Sequence, residues 1–141
     1  MQKSYFAILF FYAIVGSLQS QKLYDLWPYG NVSTNPIKVI SYFKVLANND
    51  TSIATTSKVN FSTTVASICD SSGQMLFYTN GISIFNADHE IIPNGDSINF
   101  NNQWHSYKLN GYIAPQAIQI IPIPNKIDEY SMIHQIFDFG I

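Results

Sequence analysis

Residues 64–92 constrain the fold most, because short β-forming runs alternate there with residues that favour tight turns. Residues 64–69, 74–79 and 82–86 are rich in β-branched and aromatic side chains, which predicts three strands. Residues 91–92 add a short fourth run. Four short strands in succession predict an antiparallel meander, as in one propeller blade or half of a sandwich.

The turns of this meander have their own chemistry. The DSSG stretch at 70–73 predicts an Asx-type turn, because Asp and Ser side chains satisfy local backbone groups and Gly tolerates positive φ. Asn80 and Gly81 predict a two-residue type I′ hairpin turn, in which both residues have positive φ. Residues 87–90 and 93–96 are further turn-forming stretches. We therefore expect local sequence to fix this part of the fold.

The flanking segments carry weaker patterns. Residues 21–36 indicate an irregular lead-in, 37–46 a strand, and 47–58 a loop with at most a short strand near Ile53. Residues 97–113 indicate a long loop, and 116–122 and 129–137 two strands joined by a turn. No helical period follows residue 20. The sequence predicts an all-β fold of antiparallel four-stranded meanders, an incomplete β-propeller-like fragment with one blade at about 37–95 and a second begun at about 115–141.

The N-terminus predicts export. Lys3 precedes the apolar run FAILFFYAIV at 6–15, and small and polar residues at 16–20 then suit cleavage between Ser20 and Gln21. A transmembrane helix needs about 20 apolar residues, twice the length of this run. We expect residues 1–20 to be a signal peptide and residues 21–141 to act outside the cytoplasm without a membrane anchor.

Composition excludes several classes. All seven basic residues are lysines, and the formal net charge is −2. Recognition of phosphates and base edges relies on arginine, so nucleic-acid binding is not expected. Cys69 is the single cysteine, so no internal disulfide can form, and its apolar neighbours predict a buried side chain.

No catalytic or cofactor-binding constellation is present in the sequence. His89, His105 and His134 lack the close spacing of metal ligands. Asp88 and Glu90 flank His89 in a predicted turn, where solvated acids are common. The acids at 128–129 are adjacent, and adjacent side chains on a strand point to opposite faces. The Asn-rich stretches at 94–96 and 99–102 leave calcium open. We expect no enzyme activity, no cofactor and no metal centre.

Aromatic residues in the predicted loops are the candidate ligand surface. Flat rings on loops give a large contact area at a small entropic cost, as in sites for sugars and peptides. The same rings also serve to pack loops against a core, and the sequence leaves both roles open. The candidates are Trp27, Tyr29, Trp104, Tyr107 and Tyr112.

Four stretches together resemble a known group of proteins. They are LWPYG at 26–30, SICDSSGQMLFYTNG at 67–81, IFNADHEIIPNGDS at 84–97, and the NGY, PQA and IPIP elements within 110–124. They are similar to the N-terminal, β-propeller-like domain of large secreted proteins of Bacteroidetes-type bacteria. Such proteins end in a C-terminal sorting domain for type IX secretion, and this chain resembles their N-terminal fragment.

The resemblance implies a location and a general role. It implies a cell-surface or secreted protein, with the periplasm as an alternative compartment, whose non-enzymatic segment binds an extracellular glycan or protein. The family supplies no catalytic residues. Two alternatives stay open, namely a fragment of an extracellular glycan- or peptide-acting hydrolase and a small carbohydrate-binding β-sandwich.

Overall fold

The computed structural model describes residues 26–30, 32, 34, 38–44 and 51–136. The predicted signal peptide and the start of the lead-in lie outside the described residues. Within the described part the chain is all-β apart from one short helix. In chain order its elements are β1 Leu26–Gly30, β2 Lys38–Lys44, β3 Thr51–Ser57, β4 Ala66–Cys69, β5 Met75–Thr79, β6 Ile84–Asn86, α1 Asn102–Tyr107, β7 Ile118–Pro122 and β8 Tyr130–His134.

The first sheet has the order β1-β2-β3, and both pairs are antiparallel. Successive side chains of a strand point to opposite faces. Ile40 on β2 is therefore fully buried, whereas its neighbour Val39 is 58% exposed. One face of this sheet packs on the core, and the other faces away from it.

The second sheet, β4-β5-β6, confirms the antiparallel meander with small corrections. Asp70 Oδ1 accepts hydrogen bonds from the backbone N–H groups of Ser72 (2.8 Å) and Gln74 (3.0 Å), which is the expected Asx turn. The predicted fourth strand is reduced to a single bridge between Phe85 and Ile91. Cys69, at the end of β4, is buried as expected.

The Asn80-Gly81 prediction is wrong in its turn type. Thr79 pairs with Ile84, so the connection has four residues rather than two. Gly81 has a positive φ of 86°, but Asn80 does not share it. Instead, Asn80 Oδ1 accepts the backbone N–H groups of Ile82 (3.1 Å) and Ser83 (3.0 Å). The side chain of Asn80 thus closes a wider turn that the two-residue pattern does not describe.

Three further expectations are corrected. β1 occupies part of the predicted irregular lead-in, because Trp27 to Gly30 pair with β2. β3 is a full seven-residue strand where a loop was expected, since its threonines suit a strand whose outer side is polar. α1 lies in the predicted long loop at 97–113, and at six residues it is too short to give a helical period.

The third sheet is the antiparallel pair β7-β8. Its connection contains Asn125 and Asp128, which adopt positive φ of 62° and 58°, a conformation that Asn and Asp accept more readily than other residues with side chains. Within the described residues the strands therefore form a three-stranded, a three-stranded and a two-stranded antiparallel sheet in succession.

The three sheets meet along their first strands. β4 contacts both β1 and β7, and each of these strands lies at an edge of its own sheet. Ser67 Oγ on β4 donates a hydrogen bond of 2.8 Å to the carbonyl of Leu26 on β1. The order of the sheets in space therefore follows their order in the chain.

Three buried clusters hold the described part together. One joins the first two sheets through Ile40, Tyr78 and Phe85, and another joins the second and third through Ile68, Ile118 and Ile120. The remaining cluster centres on Ile82 and Tyr112, and the aromatic rings of α1 pack against it. Burial of apolar surface between sheets, at about 25 cal/mol per Å², is thus the main stabilising term.

Candidate functional site

The structure divides the five candidate aromatic residues among three places, and their expected position in loops is largely wrong. Trp27 and Tyr29 lie on β1, and Trp104 and Tyr107 lie on α1. Tyr112 lies in the segment between α1 and β7, where its side chain is buried. Tyr112 therefore presents no surface to a ligand.

Trp27 and Tyr29 lie on the outward face of the first sheet. They are two residues apart, so their side chains share a face, and Trp27 pairs with Phe43 across the sheet. Trp27 is 57% exposed, Tyr29 48% and Phe43 42%. Val39 lies on the same face of β2. These four residues, Trp27, Tyr29, Val39 and Phe43, form what we call the aromatic face.

Small and hydroxyl-bearing residues complete this face. Ser52, Ala54 and Thr56 on β3 are exposed or partly exposed and pair with Phe43, Ser41 and Val39. Tyr29 Oη lies 2.7 Å from Ser52 Oγ, a hydrogen bond that spans the width of the sheet. Hydrogen bonds from Ser52 and Ser41 lower the pKa of Tyr29. The face therefore sets apolar rings beside a row of hydroxyls.

A groove of about 300 Å³ adjoins the aromatic face. It runs where the first strands of the three sheets meet, and Trp27 belongs to both surfaces. We call it the apolar groove, since its walls are largely hydrocarbon. It is lined by Trp27, Pro28, Val65, Ala66, Ser67, Ile118, Gln119 and Ile120.

The aromatic residues of α1 contribute more to packing than Trp27 and Tyr29 do. Trp104 is partly buried, and its ring lies 5.2 Å from the Phe100 ring, measured between centroids. Lys108 Nζ lies 5.4 Å from the centroid of the Trp104 ring. Tyr107 makes an edge contact with the buried Tyr112 ring at 6.3 Å. The rings of Trp104 and Tyr107 therefore anchor α1 on the Ile82 and Tyr112 cluster.

His89 is in a cluster that the sequence did not predict. Its Nδ1 lies 3.0 Å from Tyr78 Oη and 3.4 Å from Tyr42 Oη, and its φ is 66°. Burial lowers the pKa of His89 despite the opposing effect of the Asp88 carboxylate. Burial also raises the pKa of Tyr42 to about 12 and that of Tyr78 still further. A neutral imidazole among protonated phenols results, so the cluster joins the first two sheets by neutral hydrogen bonds.

This cluster could not be found from sequence spacing. Tyr42, Tyr78 and His89 are 11 to 47 residues apart in the chain and meet because the first two sheets share one buried cluster. In the part of the chain that the structure describes, no group of three or more His, Cys, Asp or Glu side chains could hold a metal ion.

Comparison of the chain with protein-family models, with curated proteins and with solved structures found no match. None of the described helices has the length and apolar character needed to cross a membrane.

Proposed function

We propose that the chain is a non-enzymatic binding segment of an exported, β-propeller-like protein, and that its aromatic face binds an extracellular glycan. The exposure of Trp27, Tyr29 and Phe43 on one face of a sheet carries the proposal. Soluble proteins usually bury such rings, and a contiguous exposed set commonly marks a binding surface.

The chemistry of the face suits a sugar. A pyranose ring has an apolar face of C–H groups and a rim of hydroxyls. Aromatic rings pack against the C–H groups, while hydroxyls such as that of Ser52 can donate to and accept from the rim. Tyr29 combines both properties, because its ring is half-exposed and its hydroxyl already faces Ser52. A peptide would be served less well, since the face offers no charged side chain among its defining residues.

The propeller-like arrangement is supported by how the sheets meet. In a propeller, successive blades lie side by side around an axis, and equivalent strands of neighbouring blades face one another. Here β1, β4 and β7 are the first strands of successive sheets and are neighbours in space. The apolar groove lies beside these strands and extends the proposed binding surface from Trp27.

Tryptophan fluorescence tests the proposal directly, because the chain has two tryptophans. In a Trp104→Phe chain, Trp27 is the remaining indole and reports on the aromatic face. We expect its emission to shift to the blue when a neutral β-glucan or chitin oligosaccharide binds. Trp27→Ala should weaken binding in isothermal titration calorimetry by about tenfold, as loss of a stacked ring costs about 1–1.5 kcal/mol.

The matched control is the reciprocal chain with Trp27→Phe, in which Trp104 is the remaining indole. Its emission should not respond to the same sugars. If no neutral polysaccharide in a broad panel changes Trp27 emission, the glycan proposal is wrong. The same holds if Trp27 resists quenching by acrylamide, because the face would then be covered by protein rather than open to a sugar.

A further inference from the structure

A second groove, of about 630 Å³, lies away from the aromatic face and shares no residue with it. Its walls come from Thr34 between β1 and β2, the segment after β3, the β5–β6 hairpin with its following turn, and the segment after α1. Its volume lies within the range of sites that hold small ligands, about 300–1,000 Å³. We call it the basic groove. The lining residues that matter here are Lys58, Asn60, Asn80, His89, Lys108 and Asn110.

The charge of this groove differs from that of the chain. The whole sequence has nine acidic and seven basic residues, yet no Asp or Glu is among the described residues that line the groove. Among the described residues, one ion pair is formed, between Lys126 and Glu129. No described carboxylate forms an ion pair with Lys58 or Lys108. Asp88 and Glu90 flank His89 in sequence but are exposed and do not line the groove.

The floor of the groove is held by side-chain amides. Asn80 Nδ2 donates to the carbonyl of Asn60 at 3.0 Å, and Asn60 Nδ2 donates to the carbonyl of Leu109 at 2.8 Å. Gly111 has a φ of 87°, and a Cβ there would lie 3.0 Å from the backbone nitrogen of Ser62. Three separate segments are thus fixed together, which holds the groove open at little entropic cost to a ligand.

His89 adds a polar group to the wall. Its Nδ1 faces the hydroxyls of Tyr78 and Tyr42, so Nε2 is the ring nitrogen left for a ligand. Lys58 and Lys108 are both exposed, and Lys108 Nζ lies 5.4 Å from the centroid of the Trp104 ring, which is outside the groove. Two ammonium groups and an imidazole therefore line the same groove, and such groups bind oxyanions by charge-assisted hydrogen bonds.

We infer that the basic groove is a second binding site, which takes the carboxylate or sulfate group of an acidic sugar. The groups that recognise the anion are Lys58, Lys108 and His89, and the exposed amide of Asn110 lies beside them for a sugar hydroxyl. This inference goes beyond the proposed function, because it concerns another surface and another ligand chemistry.

Calorimetry on the purified chain tests the inference with three probes, namely an oligogalacturonate, the neutral galactose oligomer of the same length and inorganic sulfate. We expect the oligogalacturonate to bind, the neutral oligomer to bind at least tenfold more weakly, and added salt to reduce the affinity by screening. Lys58→Gln and Lys108→Gln should each weaken binding about fivefold, the size expected for one exposed charge pair.

Lys126→Gln is the matched control, because Lys126 pairs with Glu129 in the β7–β8 connection, outside the groove. It should leave the affinity unchanged. Equal weakening by Lys126→Gln would overturn the inference in favour of non-specific attraction, and so would a chain that binds none of the anionic probes. Binding of sulfate as tight as that of the oligogalacturonate would overturn the sugar specificity. Trp27→Ala should not alter oligogalacturonate binding, so the two proposals fail independently.

Discussion

The first and second sheets each have three antiparallel strands, but they are held in different ways. In the second sheet, side chains of Asp70 and Asn80 close both turns, and Tyr78 and Thr79 on the central strand are fully buried. In the first sheet, one face is buried, and the other exposes the rings of Trp27 and Phe43. The second sheet is therefore held largely by contacts between its own residues, whereas the first sheet depends on packing against the second.

Truncation of one ring in each sheet should give the largest contrast. Tyr78→Ala removes a fully buried ring that contacts Phe61, Phe85 and His89, and should reduce the free energy of unfolding by about 4 kcal/mol. Trp27→Ala removes a ring that is 57% exposed and should cost less than about 1 kcal/mol. Urea unfolding followed by far-UV circular dichroism measures both. Equal costs would show that the aromatic face is buried.

The Asn80 turn offers a second test of the comparison. Gly81 has a φ of 86°, and a Cβ at this position would lie 2.5 Å from the Cβ of Tyr112 and 2.9 Å from Thr64 Cγ2. Gly81→Ala combines backbone strain with overpacking and should reduce stability by about 3 kcal/mol.

Gly73→Ala is the control for the backbone contribution, since Gly73 has a nearly identical φ of 84° in the neighbouring turn. It should cost about 1 kcal/mol. If both variants lose the same amount in urea unfolding, the close approach of Tyr112 to Gly81 contributes nothing.

The same contrast explains how much the sequence could predict. The strands and the Asp70 turn of the second sheet follow from local chemistry, because the partners of Asp70 lie within four residues. Of the five candidate aromatic residues, Trp27 and Tyr29 lie on the aromatic face, and their residue type alone makes them candidates. Their place in a strand is not predicted by the sequence, since β1 is fixed by pairing with β2 rather than by its own composition.

Long-range contacts account for the rest. β3 has the polar composition of a loop, and its strand exists because each residue pairs with β2. The turn at Asn80 is widened because Asn80 Oδ1 accepts hydrogen bonds from backbone N–H groups within the turn, and because Tyr112 packs on Gly81. The His89 cluster and the basic groove join segments that are distant in sequence, and no local pattern encodes them.

The His89 cluster, which joins the two sheets, should make stability depend on pH. Burial lowers the pKa of His89 below its ordinary value of 6.5, so the unfolded chain binds a proton at this residue more readily than the folded chain. Stability is therefore full well above pH 6.5 and decreases as the pH falls through 6.5 and below it. Urea midpoints measured across this range should show the decrease.

His89→Asn should flatten this pH dependence, because it removes the imidazole while Asn still accepts the positive φ of 66° at this position. His105→Asn is the matched control, since His105 is exposed on α1. If His89→Asn leaves the pH dependence of stability unchanged, that dependence arises from other titrating groups.

The smallest expected effect compares one polar contact in each sheet. Asp70→Ala removes the acceptor of three hydrogen bonds in the second sheet and should lower the urea midpoint slightly, with Asp70→Asn restoring most of the loss. Ser52→Ala removes the exposed Tyr29 contact in the first sheet and should have no measurable effect. A larger loss from Ser52→Ala would mean that the first sheet is also held by its polar side chains.

Folding protects the Cys69 thiol from chemical reaction, because the side chain is buried. Its thiol is fully buried at the end of β4, and it is the one cysteine of the chain. In an oxidising compartment an exposed lone thiol pairs with another molecule, so each opening of the second sheet creates a chance of covalent dimerisation. The rate at which a thiol reagent modifies Cys69 therefore reports how readily that sheet opens, and no engineered probe is needed.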